Sequence, residues 1–470
     1  MLSKKKIVNI LSSLIFLFFY IINYNNYFGS KFFFLIYQLI SFILFLVILN
    51  KKNSAFEFFV YLFFLLSFWF KFNCILYFKS IELIEGDFDL NITNYDKATL
   101  VIIVVFISCI ISSFLKKYLY NITENYKPNF KQSFKKFYVQ KKNLIILFSL
   151  LLMISLWISN IYYKIYFKGL VNENILPLIK YFYSWLFSYG FSIFVSLLIY
   201  IDYLFFKKNK IFIIAIIEGI FTQLTILSRS FLLLIIAYYR GFNFLTKYNI
   251  TEYILSKYNF IKIIIVFLII FFLSIFVVDY FRTKNFNKIY ETPKLTISKT
   301  YNEITFLLIY RWVGIDALLS VSQSNNLNFK FFLSSFNEKV KVKEKSFYIE
   351  NFFKDFKYDI NEKDNLNRVI TPGIVAFLYY SGSLSIVFFG MILLILVCIF
   401  IEKIFFVFSI NNIVLTNIIG YILASRVAHF GYVPINTLNF IFSLIITLLI
   451  IYYVMKFITK KRNCRIINYD

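Results

Sequence analysis

The chain has 470 residues, 60% of them hydrophobic and 22% aromatic, with a formal net charge of +26. A soluble domain is about 45–50% apolar and cannot keep this much apolar surface from water, so the composition excludes a soluble globular protein. The charge comes from lysines dispersed over separate loops, where they hold the chain against anionic lipid; no single basic domain gathers them, which argues against nucleic-acid binding. The excess of Phe, Ile, Tyr, Asn and Lys, with only 12 Gly and 5 Pro, also reads as an AT-rich coding bias, so the many tyrosines carry little functional weight.

Taken in order, the chain opens with Lys4, Lys5 and Lys6 ahead of an apolar run. No small-residue cleavage site follows before Asn25, which predicts an uncleaved first helix rather than a removed signal peptide. Apolar stretches long enough to cross about 30 Å of hydrocarbon predict spans near residues 7–23, 32–49, 55–71, 98–115, 144–163, 178–206, 211–227, 230–246, 262–280, 373–399, 404–425 and 434–455. The fold class is thus an all-α polytopic membrane protein with about twelve spans. The two spans flanking Ser228-Arg229-Ser230 read either as one long helix or as a tight re-entrant turn.

The loops on the side of the N-terminus hold Lys51 and Lys52, the basic run from Lys116 to Lys142, Lys207 to Lys210, Arg240 to Lys262, Lys403 and the tail from Lys456 to Arg465. That is roughly half of the 50 basic residues, and the positive-inside rule makes this side, with both termini, cytoplasmic. The loop holding Glu82, Glu85, Asp87, Asp89 and Asp96 then lies outside. The organisation is 1–280 with nine spans, a large extracytoplasmic loop over 281–372, and 373–470 with three spans and a basic cytoplasmic tail. A loop of this length is usually functional or disordered. Its aromatics and the semi-apolar stretch Ile304–Val321, with helical apolar spacing, favour function and predict a piece that lies along the membrane surface or dips into a site.

Cys74, Cys109, Cys398 and Cys464 are scattered, with no CxxC and no neighbouring histidine, and His429 is the single histidine. The cysteine spacings exclude zinc and iron–sulfur sites, the single histidine argues against a His-based metal centre, and no glycine-rich phosphate loop is present; no cofactor is expected.

Ionisable residues in or beside a span are costly to bury and are functional candidates. Those expected at the outer face are Arg229, Asp279, Arg282, Arg311, Asp316, Arg368, Arg426 and His429. Arginine presents a fixed fork of donors that suits phosphate oxygens, so an outer cleft with several arginines fits a lipid-linked pyrophosphate. Each has a plainer alternative: an interfacial arginine snorkels to head groups, Asp279 pairs with Arg282, and Asp316 is an interfacial helix residue. His429, three residues after Arg426 and on the same helical face, is either a base suited to neutral pH or structural. Glu218, mid-span, reads as a partner for a polar neighbour such as Gln223 or as a lumen-facing residue.

Three places then resemble the Wzy-type oligosaccharide repeat-unit polymerases. Ser228-Arg229-Ser230 after an apolar helix is similar to that family's small-Arg-small turn. Tyr310-Arg311-Trp312-Val313-Gly314 is similar to its arginine in the large outside loop. The stretch from Thr371-Pro372-Gly373 to Gly390 is similar to the return of the chain into the membrane after that loop. The chain departs from one family pattern, an arginine followed sixteen positions on by a glycine, since Leu327 follows Arg311 and Ser298 follows Arg282 at that distance.

The resemblance implies a GT-C-like fold in a bacterial inner membrane and a metal-independent glycosyl transfer on an undecaprenyl-pyrophosphate-linked oligosaccharide, with a chain-length regulator as a possible partner. It also implies that Arg229, Arg311 and Arg426, with Arg282 and Arg368, hold the pyrophosphate, and that His429, or failing that Asp316, is the base. Competing readings are the flippase for the same lipid-linked unit, disfavoured by the lack of an internal repeat, and the O-antigen ligase, which shares the topology. A transferase using a single-sugar lipid phosphate would want acidic residues in the first outside loop, Tyr24 to Lys31, which has none.

Overall fold

The computed structural model describes residues 4–50, 53–78, 92–119, 130–167, 175–207, 211–226, 231–246, 309, 312–338, 346–352, 371–430 and 434–459. Within them the regular elements are helices, joined by one isolated antiparallel bridge between Phe130 and Thr459. Helices satisfy every backbone donor and acceptor within one segment, which hydrocarbon demands.

In chain order the helices are α1 (Lys4–Tyr24), α2 (Lys31–Ile48), α3 (Ala55–Phe64), a π-helical segment Leu65–Lys71, α4 (Phe72–Phe78), α5 (Ile92–Leu119) and α6 (Gln132–Tyr163). Then come α7 (Pro177–Trp185), a second π-helical segment Leu186–Gly190, α8 (Phe191–Phe206), α9 (Phe212–Thr225) and α10 (Phe231–Thr246). The remainder is α11 (Ile315–Ser322), α12 (Phe329–Ser334), α13 (Phe347–Phe352), α14 (Gly373–Tyr379), α15 (Leu384–Phe408), α16 (Ile413–Ala428) and α17 (Ile435–Ile458). Among the described residues seven helical stretches are long and apolar enough to cross a membrane: Lys31–Ile48, Ala55–Phe78, Asn94–Tyr118, Gln132–Tyr163, Pro177–Phe206, Leu384–Phe408 and Asn439–Ile458. The architecture is that of a helical membrane protein. Its longest helices present unburied apolar faces, such as Leu144, Phe148 and Leu151 on α6 and Phe389, Leu393 and Phe400 on α15, as lipid contact requires.

Local chemistry sets the helix ends. Ser54 and Glu57 form a capping box, the Ser54 hydroxyl accepting from Glu57 N–H and the Glu57 carboxylate accepting from Ser54 N–H, which satisfies two of the orphan donors at the start of α3. Pro177 opens α7, where its missing N–H costs nothing. Lys164 and Lys207 end α6 and α8 in the left-handed conformation.

The chain divides into two compact units. The first comprises 1–121, 292–401 and 420–439. Its core is aromatic, with Phe34, Tyr37, Phe56, Phe59, Phe68 and Phe72 buried. An amide network crosses it: Asn23 Nδ2 donates to Asn73 Oδ1 at 3.0 Å, Gln38 Nε2 to Asn73 Oδ1 at 2.8 Å, and Trp69 Nε1 to Gln38 Oε1 at 2.8 Å. The π-helical turn frees carbonyls that side chains then claim. Tyr37 Oη donates to Phe68 O at 2.8 Å and Asn73 Nδ2 to Trp69 O at 2.8 Å. Lys116 pairs with Glu57, which puts the start of α3 and the end of α5 on one side of this unit.

The second unit comprises 122–291, 402–419 and 440–470. Lys142 pairs with buried Asp202 at 2.6 Å, and Arg240 Nη1 donates to Asn417 Oδ1 at 2.5 Å. Glu218 is fully buried and accepts from Ser192 Oγ at 3.0 Å and Tyr238 Oη at 2.8 Å; its partners come from α8 and α10. In one continuous helix residues 218 and 238 would stand about 30 Å apart. Their hydrogen bond therefore decides for a chain that folds back between α9 and α10.

Three span boundaries differ from expectation. The span expected over 55–71 runs on to Phe78. The span expected over 373–399 is two helices, α14 and α15, broken at Ser381-Gly382, where Gly382 has φ +67°. The loop expected between 399 and 404 is absent: α15 continues through Glu402 and Lys403 to Phe408. Glu402 is buried inside the protein, so it does not end a helix as an exposed charge would.

Candidate functional site

Within the first unit, three segments far apart in sequence meet. The first is 312–316, from the large loop. The second is 371–373, where the chain leaves that loop. The third is the end of α16, from Arg426 to Phe430.

The π-helical segment anchors the first of these. Ser67 Oγ donates to Val313 O at 2.6 Å, and Lys71 Nζ donates to Trp312 O at 3.1 Å. The same ammonium forms an ion pair with Asp316 Oδ2 at 2.8 Å, both side chains being at most 1% exposed. The Trp312 ring stands 6.4 Å from that of Phe63. Gly314 has φ +133°, and a methyl group there would sit 2.7 Å from the Phe68 ring and 2.9 Å from Ser67 Oγ. Only glycine fits both the backbone and the space.

Gly373 joins all three segments. Its N–H donates to Phe430 O at 2.9 Å. It has φ +78°, and a methyl group on it would lie 3.3 Å from Ala428 O and 3.5 Å from Gly314 Cα. Around this junction Tyr380 packs against Phe331, Phe347, Phe352 and Phe377, and Phe377 meets Phe430 edge-on at 4.9 Å. Helices α12 and α13 of the large loop are thus seated on α14 by aromatic rings.

The end of α16 supplies two of the candidate groups. Arg426 is half-buried, and its Nη2 donates to Thr437 Oγ1 at 3.3 Å. His429 is exposed, with Nδ1 2.8 Å from Ser425 O. A carbonyl only accepts, so Nδ1 carries the proton, and neutral imidazole keeps its lone pair on Nε2.

Of the two placements expected for the helix of Asp316, along the membrane surface or dipping into a site, burial fits the second: α11 has all eight residues buried, and Asp316 in its first turn pairs with Lys71. Ser320 Oγ, on the same helix, donates to Phe352 O at 3.1 Å. Within the semi-apolar stretch, residues 314–321 are buried, and the polar groups of Asp316 and Ser320 find partners inside the protein. Arg229, Asp279, Arg282, Arg311 and Arg368 lie outside the described residues. Arg311 immediately precedes Trp312 in the chain.

Lys71 is the residue that sequence reasoning passed over. A lysine within Phe70-Lys71-Phe72 meets the rule that an ionisable residue in a span marks function. With the third span expected to end at residue 71, Lys71 fell at its edge and was not weighed as a buried charge.

Comparisons with models of protein families, with curated proteins and with solved structures return no match.

Proposed function

We propose that the chain is a metal-independent glycosyltransferase that polymerises undecaprenyl-pyrophosphate-linked oligosaccharide repeat units at the outer face of a bacterial inner membrane. The observation that carries this reading is the junction at Gly373. There the segment following Arg311, the segment following Arg368 and the helix end bearing Arg426 and His429 come together in one unit. Two of the three stretches that resemble the repeat-unit polymerases are thereby neighbours.

In the proposed reaction the hydroxyl oxygen of an incoming lipid-linked unit attacks the anomeric carbon at the reducing end of the nascent chain. A new glycosidic C–O bond forms and the C–O bond to pyrophosphate breaks. The hydroxyl proton passes to His429 Nε2, and undecaprenyl pyrophosphate departs with the electron pair. Arginine donors hold that group as its charge develops, which is worth most in a water-poor site. Arg426 and Arg311 are the donors expected at the junction. Arg229, Arg282 and Arg368 are further candidates.

The deciding experiment is deletion of the gene followed by analysis of the surface glycan and of its lipid-linked precursor. The polymerase reading expects single repeat units at the surface. Repeat units trapped inside the cell would mean a flippase. Full-length polymer left on its lipid carrier would mean a ligase.

A further inference from the structure

We propose that Lys71 is a positioning residue for this site, and that Asp316 serves as its counter-charge rather than as a base. The proposal rests on the functional reading above, in which the segment after Arg311 borders the reacting groups.

The π-helical turn holds that segment at four points, residues 312, 313, 314 and 316. Lys71 takes the Trp312 carbonyl and the Asp316 carboxylate, Ser67 takes the Val313 carbonyl, and Phe68 closes on Gly314. Desolvating an ammonium and a carboxylate is costly, and a buried pair replaced by apolar residues of like volume is often no less stable. Stability alone therefore gives no reason to keep the pair. An ammonium with two acceptors on one short loop does define where that loop sits, which an apolar contact cannot do. π-helical turns recur at functional sites, and this one brings Ser67 and Lys71 onto the same loop.

The test uses the full-length protein with its native cysteines replaced and a single reporter cysteine introduced as Val313→Cys, a position whose half-buried side chain makes none of these hydrogen bonds. Lys71→Met and Asp316→Asn each strand a buried charge and should lower the amount of folded protein. The double variant Lys71→Met/Asp316→Leu removes both charges and should accumulate normally. In the double variant, labelling of the reporter thiol by a membrane-impermeant maleimide should rise several-fold. With native lipid-linked repeat units as substrate, kcat should fall about a hundredfold, as for a misplaced reacting group, with KM nearly unchanged.

A double variant with native labelling and native kcat would make the pair merely structural and overturn the proposal. Faster labelling with native kcat would also overturn it, because the loop's position would not matter to the reaction. If the unaltered protein does not elongate the lipid-linked unit at all, it is the polymerase reading that fails. The labelling rates then still decide whether Lys71 positions the loop.

Discussion

The backbone N–H of Gly373 donates to the carbonyl of Phe430 at 2.9 Å, tying the chain's return from the large loop to the end of α16. Gly373 holds this contact with a positive φ and backbone oxygen close by. Gly373→Ala should therefore cost about 1–2 kcal/mol from the left-handed conformation alone. A lowered thermal midpoint in detergent, with activity per folded molecule also reduced, is the expected result. An unchanged midpoint would mean the junction tolerates a methyl group.

His429→Ala should lower the elongation rate by about a hundredfold or more while lipid-linked substrate still binds. The neutral ring is the form with a lone pair on Nε2, so a base role expects the rate to fall on acidification. If acidification instead strengthens substrate binding and the variant's loss lies in affinity, His429 is a phosphate ligand and the base lies elsewhere.

Arg426→Ala and Arg311→Ala should abolish polymer in cells while the protein still accumulates in the membrane, and Arg229→Ala should do the same. Lysine at these positions should fail as well, because a point charge lacks the forked geometry. Normal polymer from all three alanine variants would remove the pyrophosphate assignment.

A reagent that cannot cross the membrane should leave Lys127→Cys unlabelled in intact cells and react with Lys343→Cys in the large loop. The opposite pattern would invert the orientation read from the basic loops.

The membrane class was legible in the chain, because apolar runs as long as 384–401 recur along it, each long enough to cross the hydrocarbon. The breaks inside the runs were not. Ser381-Gly382-Ser383 is a dip too short to stand out between the apolar stretches on both sides, so the end of α14 was read through. Glu402 and Lys403 looked like a loop because they are charged, yet burial of Glu402 lets the helix pass through them. In the site, Arg426 and His429 could be singled out from type and spacing. The fate of Asp316 could not, since its partner stands 245 residues earlier and no local pattern announces a contact of that separation. Glu218 was recognisable as a buried polar residue, but its donors, Ser192 and Tyr238, come from other helices.

That separation also bears on how the protein is made. Lys71 leaves the ribosome 245 residues before Asp316, an interval on the order of 12–50 s at typical synthesis rates of about 5–20 residues per second. Throughout it, the Lys71 ammonium has no counter-charge from its eventual partner. That pair can therefore close only after residue 316 has been made. A chain truncated before residue 316 should be degraded sooner than one truncated after residue 439, which holds all of the first unit.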